Sequence, residues 1–301
     1  MNNLHAVTAA MKKLGVDCYF DKSFCDLTSL RVGGKICLTV YPDTCRKIVR
    51  VVRCLQRLRV RYFLLGNGSN VLASDNFFDG VVVCTKAARE IRLCGNKIIA
   101  DCGAQSGAVF ALAQKHGLSG CEFLGCVPST VGAAVRGNAG CYGQDAASIV
   151  SCVTALCPDG KVRTFSNRQC AFSKRNSLFK RQNAVVLSVT FSLSVGSTEQ
   201  VAFSFEQMRK RKSASQPTGV ATAGSTLFHD KLSVSMYLDK AGTKGYKIGG
   251  AEVSKKHAGF VINIDKAAAK DIYYIIQYQK QRLWEAYGLC AETEVSLVGW
   301  Q

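Results

Sequence analysis

No stretch of the chain approaches the run of about 18 consecutive apolar residues that a membrane-spanning helix needs, so no membrane span is expected. Proline is scarce, 4 residues in 301 against 27 glycines, which excludes collagen-like and proline-rich low-complexity readings. No two cysteines form a C-x-x-C, and no two of the four histidines (His5, His116, His229, His257) stand at metal-ligand spacing, so neither a zinc finger nor a His-based metal site is expected. The opening residues, MNNLHAVTAAMKKLG, lack a long apolar core and a cleavage site, so no signal peptide is read there and the cytoplasm is the expected location. Acidic residues are few, 21 against 39 lysines and arginines, for a formal charge of +18. That surplus favours anionic partners such as nucleic acid, phosphorylated cofactors or nucleotide-sugars, and is equally met by a generally basic surface.

With 48% apolar and 20% charged residues the chain can bury a sizeable core, which excludes global disorder. Its 301 residues suggest about two domains. The 15 cysteines are an odd number, and buried thiols in a reducing compartment are the expectation.

Residues 43–59 carry Ile48, Val51, Val52 and Leu55 at helical spacing, with Asp43 or Thr44 as the cap. VRYFLLG (60–66) then reads as a buried strand and VVVC (81–84) as another, a small α/β unit. Strand, turn, strand follows at 92–102, a helix at 105–117, and strands over 148–194 with a turn at PDG (158–160). A composition break at 195–218, with the run Arg209, Lys210, Arg211, Lys212, places a domain boundary near residue 200. Beyond it a helix is expected over 266–287, with Ile272, Ile275, Ile276, Leu283 and Tyr287 on one face and Gly288 at its end.

Five segments have the composition of a functional site. Gly66-Asn67-Gly68-Ser69-Asn70 follows a buried strand, and its glycines let backbone N–H groups converge on a phosphate; it is neither a Walker loop nor a Rossmann fingerprint, and a tight turn explains it equally well. GCVPSTVGAAVRGNAGCYG (125–143) permits close approach of a flat ligand, or of another chain segment. In KRNSLFK (174–180) an arginine is set to clamp a carboxylate, unless this is a solvated basic turn. AGSTLF (223–228) offers a serine without a G-x-S-x-G elbow, suited to ligand contact or to capping. In ETEVSLV (292–298), Glu292 and Glu294 share one strand face, as acid, base or wet carboxylates.

In this order, together with RVGG (31–34), LLGNGSNVLASD (64–75) and KAGTKGYKIGGAEVSKKHAGFVIN (240–263), these segments resemble the UDP-N-acetylenolpyruvoylglucosamine reductase (UDP-N-acetylmuramate dehydrogenase) family, in its short-form, type II branch. The resemblance runs from about Leu30 to Gly299. It implies an α+β protein: a vanillyl-alcohol-oxidase/PCMH-type FAD-binding fold over residues 1–200, with a small α/β part at 1–85 and a larger mixed part at 86–200, and a C-terminal α/β substrate-binding domain at 201–301. It implies non-covalent FAD, NADPH as co-substrate, and reduction of the enolpyruvyl group of a UDP-sugar to UDP-N-acetylmuramate in peptidoglycan precursor synthesis. The small-molecule substrate leaves no part for nucleic acid or membrane.

Matched residue by residue, the resemblance assigns FAD contacts to Gly66, Asn67, Gly68, Ser69, Asn70, Pro128, Ser129, Gly132, Asn138, Ala139, Gly140 and Gly143. It makes Arg175 and Glu294 the groups that stabilise the enolate-like charge, Glu294 as a proton-bearing donor, and Ser225 the donor of a proton to carbon. Ser177 and Glu292 are the alternatives within the same motifs. The chain departs from the family at Gly259, where asparagine is common, at Ser296, where arginine is usual, and in the residues following Ser225. Lys244, Lys247, Lys255 and Lys256 are candidates for steering pyrophosphates. A flavin oxidoreductase of other substrate, a flavoprotein without activity and a basic nucleic-acid-binding module are the rival readings.

Overall fold

The computed structural model describes residues 4–300. The chain forms two compact units that interleave in sequence. The first comprises the N-terminal residues up to Tyr19, Leu38–Asn67 and Gly80–Arg211; the second comprises Phe20–Cys37, Gly68–Asp79 and the chain from Lys212 onward. A linear cut at residue 200 therefore differs from the observed division, which sends two early segments to the C-terminal unit.

In the first unit, Tyr62–Leu65 and Phe78–Cys84 pair in parallel, within a four-stranded sheet that also holds Asp17–Tyr19 and Ile36–Tyr41. The helix Cys45–Arg57 begins at Thr44, whose hydroxyl accepts from the Lys47 N–H at 3.2 Å. Asp43, the other expected cap, instead pairs with Lys47 at 2.9 Å. The helix buries Ile48, Val51, Val52 and Leu55 completely, as its spacing predicts. The strand before the glycine loop is less enclosed than its apolar run suggests: only Leu65 is buried.

A five-stranded antiparallel sheet carries the larger part of this unit, in the order Val162–Ser166, Val150–Leu156, Val185–Ser192, Lys97–Asp101, Ile91–Cys94. Its first hairpin turns at Pro158-Asp159-Gly160, where Gly160 takes φ +77°. Alternating Val153, Ala155, Val189 and Phe191 face a core that also holds Phe123, Leu124, Val131 and Phe179. The segment 198–215, expected as a boundary, is a helix with Val201 as its one buried residue among 18.

The second unit is built on a four-stranded antiparallel sheet, Ala221–Ser225, Phe260–Asn263, Ala251–Val253, Lys247–Ile248. The helix Ala269–Tyr287 contacts it and stops at Gly288, whose φ of +60° lets the chain leave the helix. Its inner face is Ile272, Ile275, Ile276 and Leu283, completed by the fully buried Gln279. Tyr287, expected on that face, is 42% exposed. Val71–Ala73 pairs in parallel with Ser296–Val298, and Ser29 donates to the Thr222 carbonyl at 2.6 Å, so the early segments are stitched into this unit. Among the described residues no helix is long and apolar enough to cross a membrane. All 15 cysteines are free thiols: seven buried, five half-buried and three exposed.

Candidate active site

The loop 66–70 leaves the strand Tyr62–Leu65, and the division between the units falls within it, after Asn67. In the first unit the Asn67 amide donates to the Pro128 carbonyl at 3.0 Å. A β-carbon on Gly66 would run into Thr130 Oγ1. That hydroxyl is buried and bonds to nothing in the protein, although Thr130 stands where a helix-capping side chain would. Buried polar atoms are nearly always satisfied. A hydroxyl left open beside a side-chain-free glycine suits a phosphate oxygen, so the residues present fit a dinucleotide. Thr130 escapes a sequence reading because Ser or Thr before a short helix is taken as a cap.

Ser129 is buried and shares a 3.0 Å hydrogen bond with Ser106. Gly132 lies in the first turn of the short helix Val131–Arg136, pressed onto Cys102; its N–H donates to the Cys102 carbonyl at 2.8 Å, and an added β-carbon would lie 2.8 Å from Cys102 Cβ. Asn138, buried at φ +43°, donates to Asp145 Oδ2 and to the Ser173 carbonyl, each at 3.0 Å, and accepts from the Ala147 N–H at 2.9 Å. Asn138 is thus a brace for the segment rather than a free ligand group. Ala139 engages through its backbone, donating to the Ala134 carbonyl and accepting from Ala146. Gly140 pairs with Asp145 in a short hairpin whose turn contains Gly143 at φ +86°.

Arg175 sits in the tight turn closed by Ser173 and Asn176, at φ +55°. Its guanidinium donates to the Gly140 carbonyl across a long 3.5 Å, and its own carbonyl accepts from Lys180 Nζ at 3.0 Å. The first unit therefore brings Arg175 to the glycine-rich segment. Ser177, the alternative hydroxyl, is fully buried and spent on the Arg136 carbonyl at 2.7 Å.

In the second unit, Ser225 ends the strand Ala221–Ser225 opposite Phe260, after a break in register between Thr222 and Ser225. Gly224 supplies φ +78° within that break. Ser225 Oγ donates to the Leu227 carbonyl at 3.2 Å. The next residue, Thr226, donates its N–H to Gly259 at 2.9 Å and accepts the Glu294 N–H at 2.8 Å. Asn70 closes the knot: its amide donates to the Glu294 carbonyl at 3.1 Å, and its own carbonyl accepts the Ser296 N–H at 3.0 Å. Gly68, Ser69 and Asn70, Ser225 and Glu294 thus belong to one unit, with Asn70, Ser225 and Glu294 joined through adjacent backbone. Gln279 locks the rear, donating to Ala258 at 2.7 Å while its Oε1 lies 3.4 Å from Thr226 Oγ1. Glu292, the alternative carboxylate, is exposed opposite Phe228, in the lining of a shallow cavity of about 300 Å³ with His229, Asp230, Lys231 and Cys290.

His257 enters from the same neighbourhood. Its Nδ1 accepts from the Gly259 N–H at 3.2 Å, and its ring meets Phe260 edge-on at 4.7 Å. Burial, then the charge of Lys244, pushes its pKa below the usual 6.5, against weaker opposing pulls from a backbone bond and Asp239. The depressed value has a sign. Above pH 6.5 the imidazole is neutral folded and unfolded; on acidification the unfolded chain takes the proton first, so stability falls as the pH drops toward the folded pKa. Melting temperature is expected to decline between pH 7 and pH 5 more steeply in the parent than in His257→Asn; parallel profiles would refute it.

Of the four lysines, Lys244 pairs with Asp239 at 2.8 Å, Lys247 with Glu252 at 3.2 Å, and Lys256 reaches the Ser213 carbonyl. Burial raises the Cys121 thiol to about 12 and Cys84 to about 11, which disfavours the thiolate form in both.

A family model described as an FAD binding domain matches residues 37–166, and one described as the UDP-N-acetylenolpyruvoylglucosamine reductase C-terminal domain matches 216–298. The chain is 33% identical over 273 residues to the UDP-N-acetylenolpyruvoylglucosamine reductase of Caldanaerobacter subterraneus, covering 90% of each protein. It is 33% identical over 289 residues to that of Streptococcus pneumoniae, covering 95% of each. The crystal structure of the UDP-N-acetylenolpyruvylglucosamine reductase of Thermus caldophilus shares its fold, with a TM-score of 0.79 at 24% identity over 94% of this chain and 98% of that one. With relatives above 30% identity spanning nine-tenths of its length, the chain belongs to the UDP-N-acetylenolpyruvoylglucosamine reductase family.

Proposed function

We propose that the chain is an FAD- and NADPH-dependent oxidoreductase that reduces the enolpyruvyl ether of UDP-N-acetylglucosamine enolpyruvate, giving UDP-N-acetylmuramate for peptidoglycan. The observation that carries the site assignment is the knot at Thr226, whose carbonyl accepts the Glu294 N–H and which directly follows Ser225 in the chain, so that one stretch of backbone brings half-buried Ser225 and half-buried Glu294 into the same neighbourhood. When bound, FAD would supply the redox chemistry, hydride transfer from NADPH to the methylene carbon of the substrate.

The side chains manage charge and protons. Hydride addition leaves negative charge on the carbon beside the carboxylate. Arg175 supplies a fixed positive charge for it and Glu294, carrying a proton, a hydrogen-bond donor; both act more strongly on the enolate than on the ground state. Ser225 Oγ gives its proton to the carbanionic carbon, and its oxygen regains one from solvent. The Gly66–Asn70 loop, Thr130 and the hairpin at Gly140 would hold the dinucleotide through backbone N–H groups and a hydroxyl. Fifteen free thiols suit a reducing compartment, which supports placing the reaction in the cytoplasm.

The test separates the two halves of the reaction. Purified protein should carry flavin colour, lose it anaerobically with NADPH, and regain it on adding the enolpyruvyl nucleotide-sugar. Reduction without reoxidation would favour a flavin oxidoreductase of other substrate; tight salt-sensitive nucleic-acid binding without flavin would favour the nucleic-acid module.

A further inference from the structure

We propose that His257 is a positioning residue for proton delivery by Ser225, acting through the Gly259–Phe260 backbone. The inference rests on reading Ser225 as the proton donor, and adds a group to it.

Three contacts carry it. His257 Nδ1 accepts the Gly259 N–H at 3.2 Å, the Gly259 carbonyl accepts the Thr226 N–H at 2.9 Å, and the His257 ring abuts Phe260, which pairs with Ser225. The imidazole therefore holds both residues that Ser225 and Thr226 lean on. A fourth observation places ring and hydroxyl together. A β-carbon built on Gly259 would lie 3.0 Å from Ser225 Oγ, 3.2 Å from His257 Cε1 and 3.3 Å from His257 Nδ1. Both groups therefore pack against the side-chain-free face of the same buried glycine.

The local need is physical. Ser225 follows a register break and a positive-φ glycine, so its own strand holds it weakly. Its hydroxyl rests on the Leu227 carbonyl and must turn toward the reacting carbon. A fixed opposite strand limits where the oxygen can stand while it turns, and small misplacement of a proton donor is costly. With Nδ1 accepting, the neutral ring carries its proton on Nε2. Lys244 and Asp239 are the charged groups whose fields reach the ring, and its depressed pKa keeps it in that neutral, accepting form.

The decisive variants are His257→Leu, which removes the acceptor and keeps apolar bulk against Phe260, and His257→Asn, whose side-chain oxygen can accept the N–H two residues on. In His257→Leu, anaerobic reduction by NADPH should keep the parent rate. Reoxidation by the enolpyruvyl nucleotide-sugar should slow by about 10- to 100-fold at little-changed KM, with a larger solvent deuterium isotope effect. His257→Asn should recover most of that loss. Amide exchange at Gly259 and Thr226 should quicken in the Leu variant and not in Asn. Equal loss in both half-reactions, an unchanged isotope effect, or no rescue by Asn would overturn the proposal. If parent protein reduced by NADPH is never reoxidised by this substrate, the functional reading fails instead, while amide exchange still decides whether His257 holds the strand.

Discussion

Ser225→Ala is expected to keep flavin reduction by NADPH at the parent rate and to slow reoxidation by the enolpyruvyl nucleotide-sugar by about 10²- to 10⁴-fold, the range for loss of a positioned proton donor. The measurement is anaerobic stopped-flow absorbance of the flavin in each half-reaction. The substitution removes one oxygen from a half-buried strand end and leaves no buried partner orphaned beyond the Leu227 carbonyl. Stability should therefore move little, and the kinetic loss would belong to chemistry. Ser177→Ala supplies the contrast. Its hydroxyl is fully buried on the Arg136 carbonyl, so removal should cost about 1–2 kcal/mol of stability without favouring one half-reaction over the other. Should Ser177→Ala show the selective loss and Ser225→Ala not, the roles assigned to the two serines would be exchanged.

The division of the fold into what the sequence reveals and what it conceals follows interaction range. The helix Ala269–Tyr287 is legible because its apolar period and the glycine after it are local signals. Gln279 is not: its burial answers to the Ala258 carbonyl and to Thr226, 21 and 53 residues away. The 198–215 helix is hidden because its apolar residues form no stripe and its basic run reads as a solvated linker. The interleaved units are hidden for a similar reason. Pairing of Val71–Ala73 with Ser296–Val298 joins segments more than 200 residues apart, and nothing in three apolar residues names their partner. Site residues were legible as types within motifs, Arg175, Ser225 and Glu294 among them. What the motifs could not tell is that Asn138 is a brace, that Thr130 leaves a hydroxyl open, or that a histidine stands beside Ser225.

The glycines of the 125–143 segment separate into two kinds, and that separation leads to the other large effect. Gly140→Ala is expected to yield protein that is purified without colour, or that loses FAD on dilution, whereas Gly143→Ala should stay yellow. At Gly140 the conformation is ordinary but the space is taken: a β-carbon would overlap the Gln144 carbonyl and lie 2.6 Å from both Asp145 Cα and Cβ. Backbone cannot swing aside as a flexible side chain does, so the hairpin must open, at about 1–3 kcal/mol for overpacking. The damage spreads along bonds already described. Asp145 holds Asn138 and caps the helix Ala146–Ile149, and the Gly140 carbonyl receives the Arg175 guanidinium. Gly143 has the opposite character. No atom lies within 4 Å of its added β-carbon, and only its φ of +86° resists substitution, at about 1–2 kcal/mol. Flavin content per protein, with melting temperature measured beside it, distinguishes the cases. If Gly143→Ala loses flavin as completely as Gly140→Ala, the glycine at the turn serves the ligand itself, and crowding against Asp145 is not what decides retention.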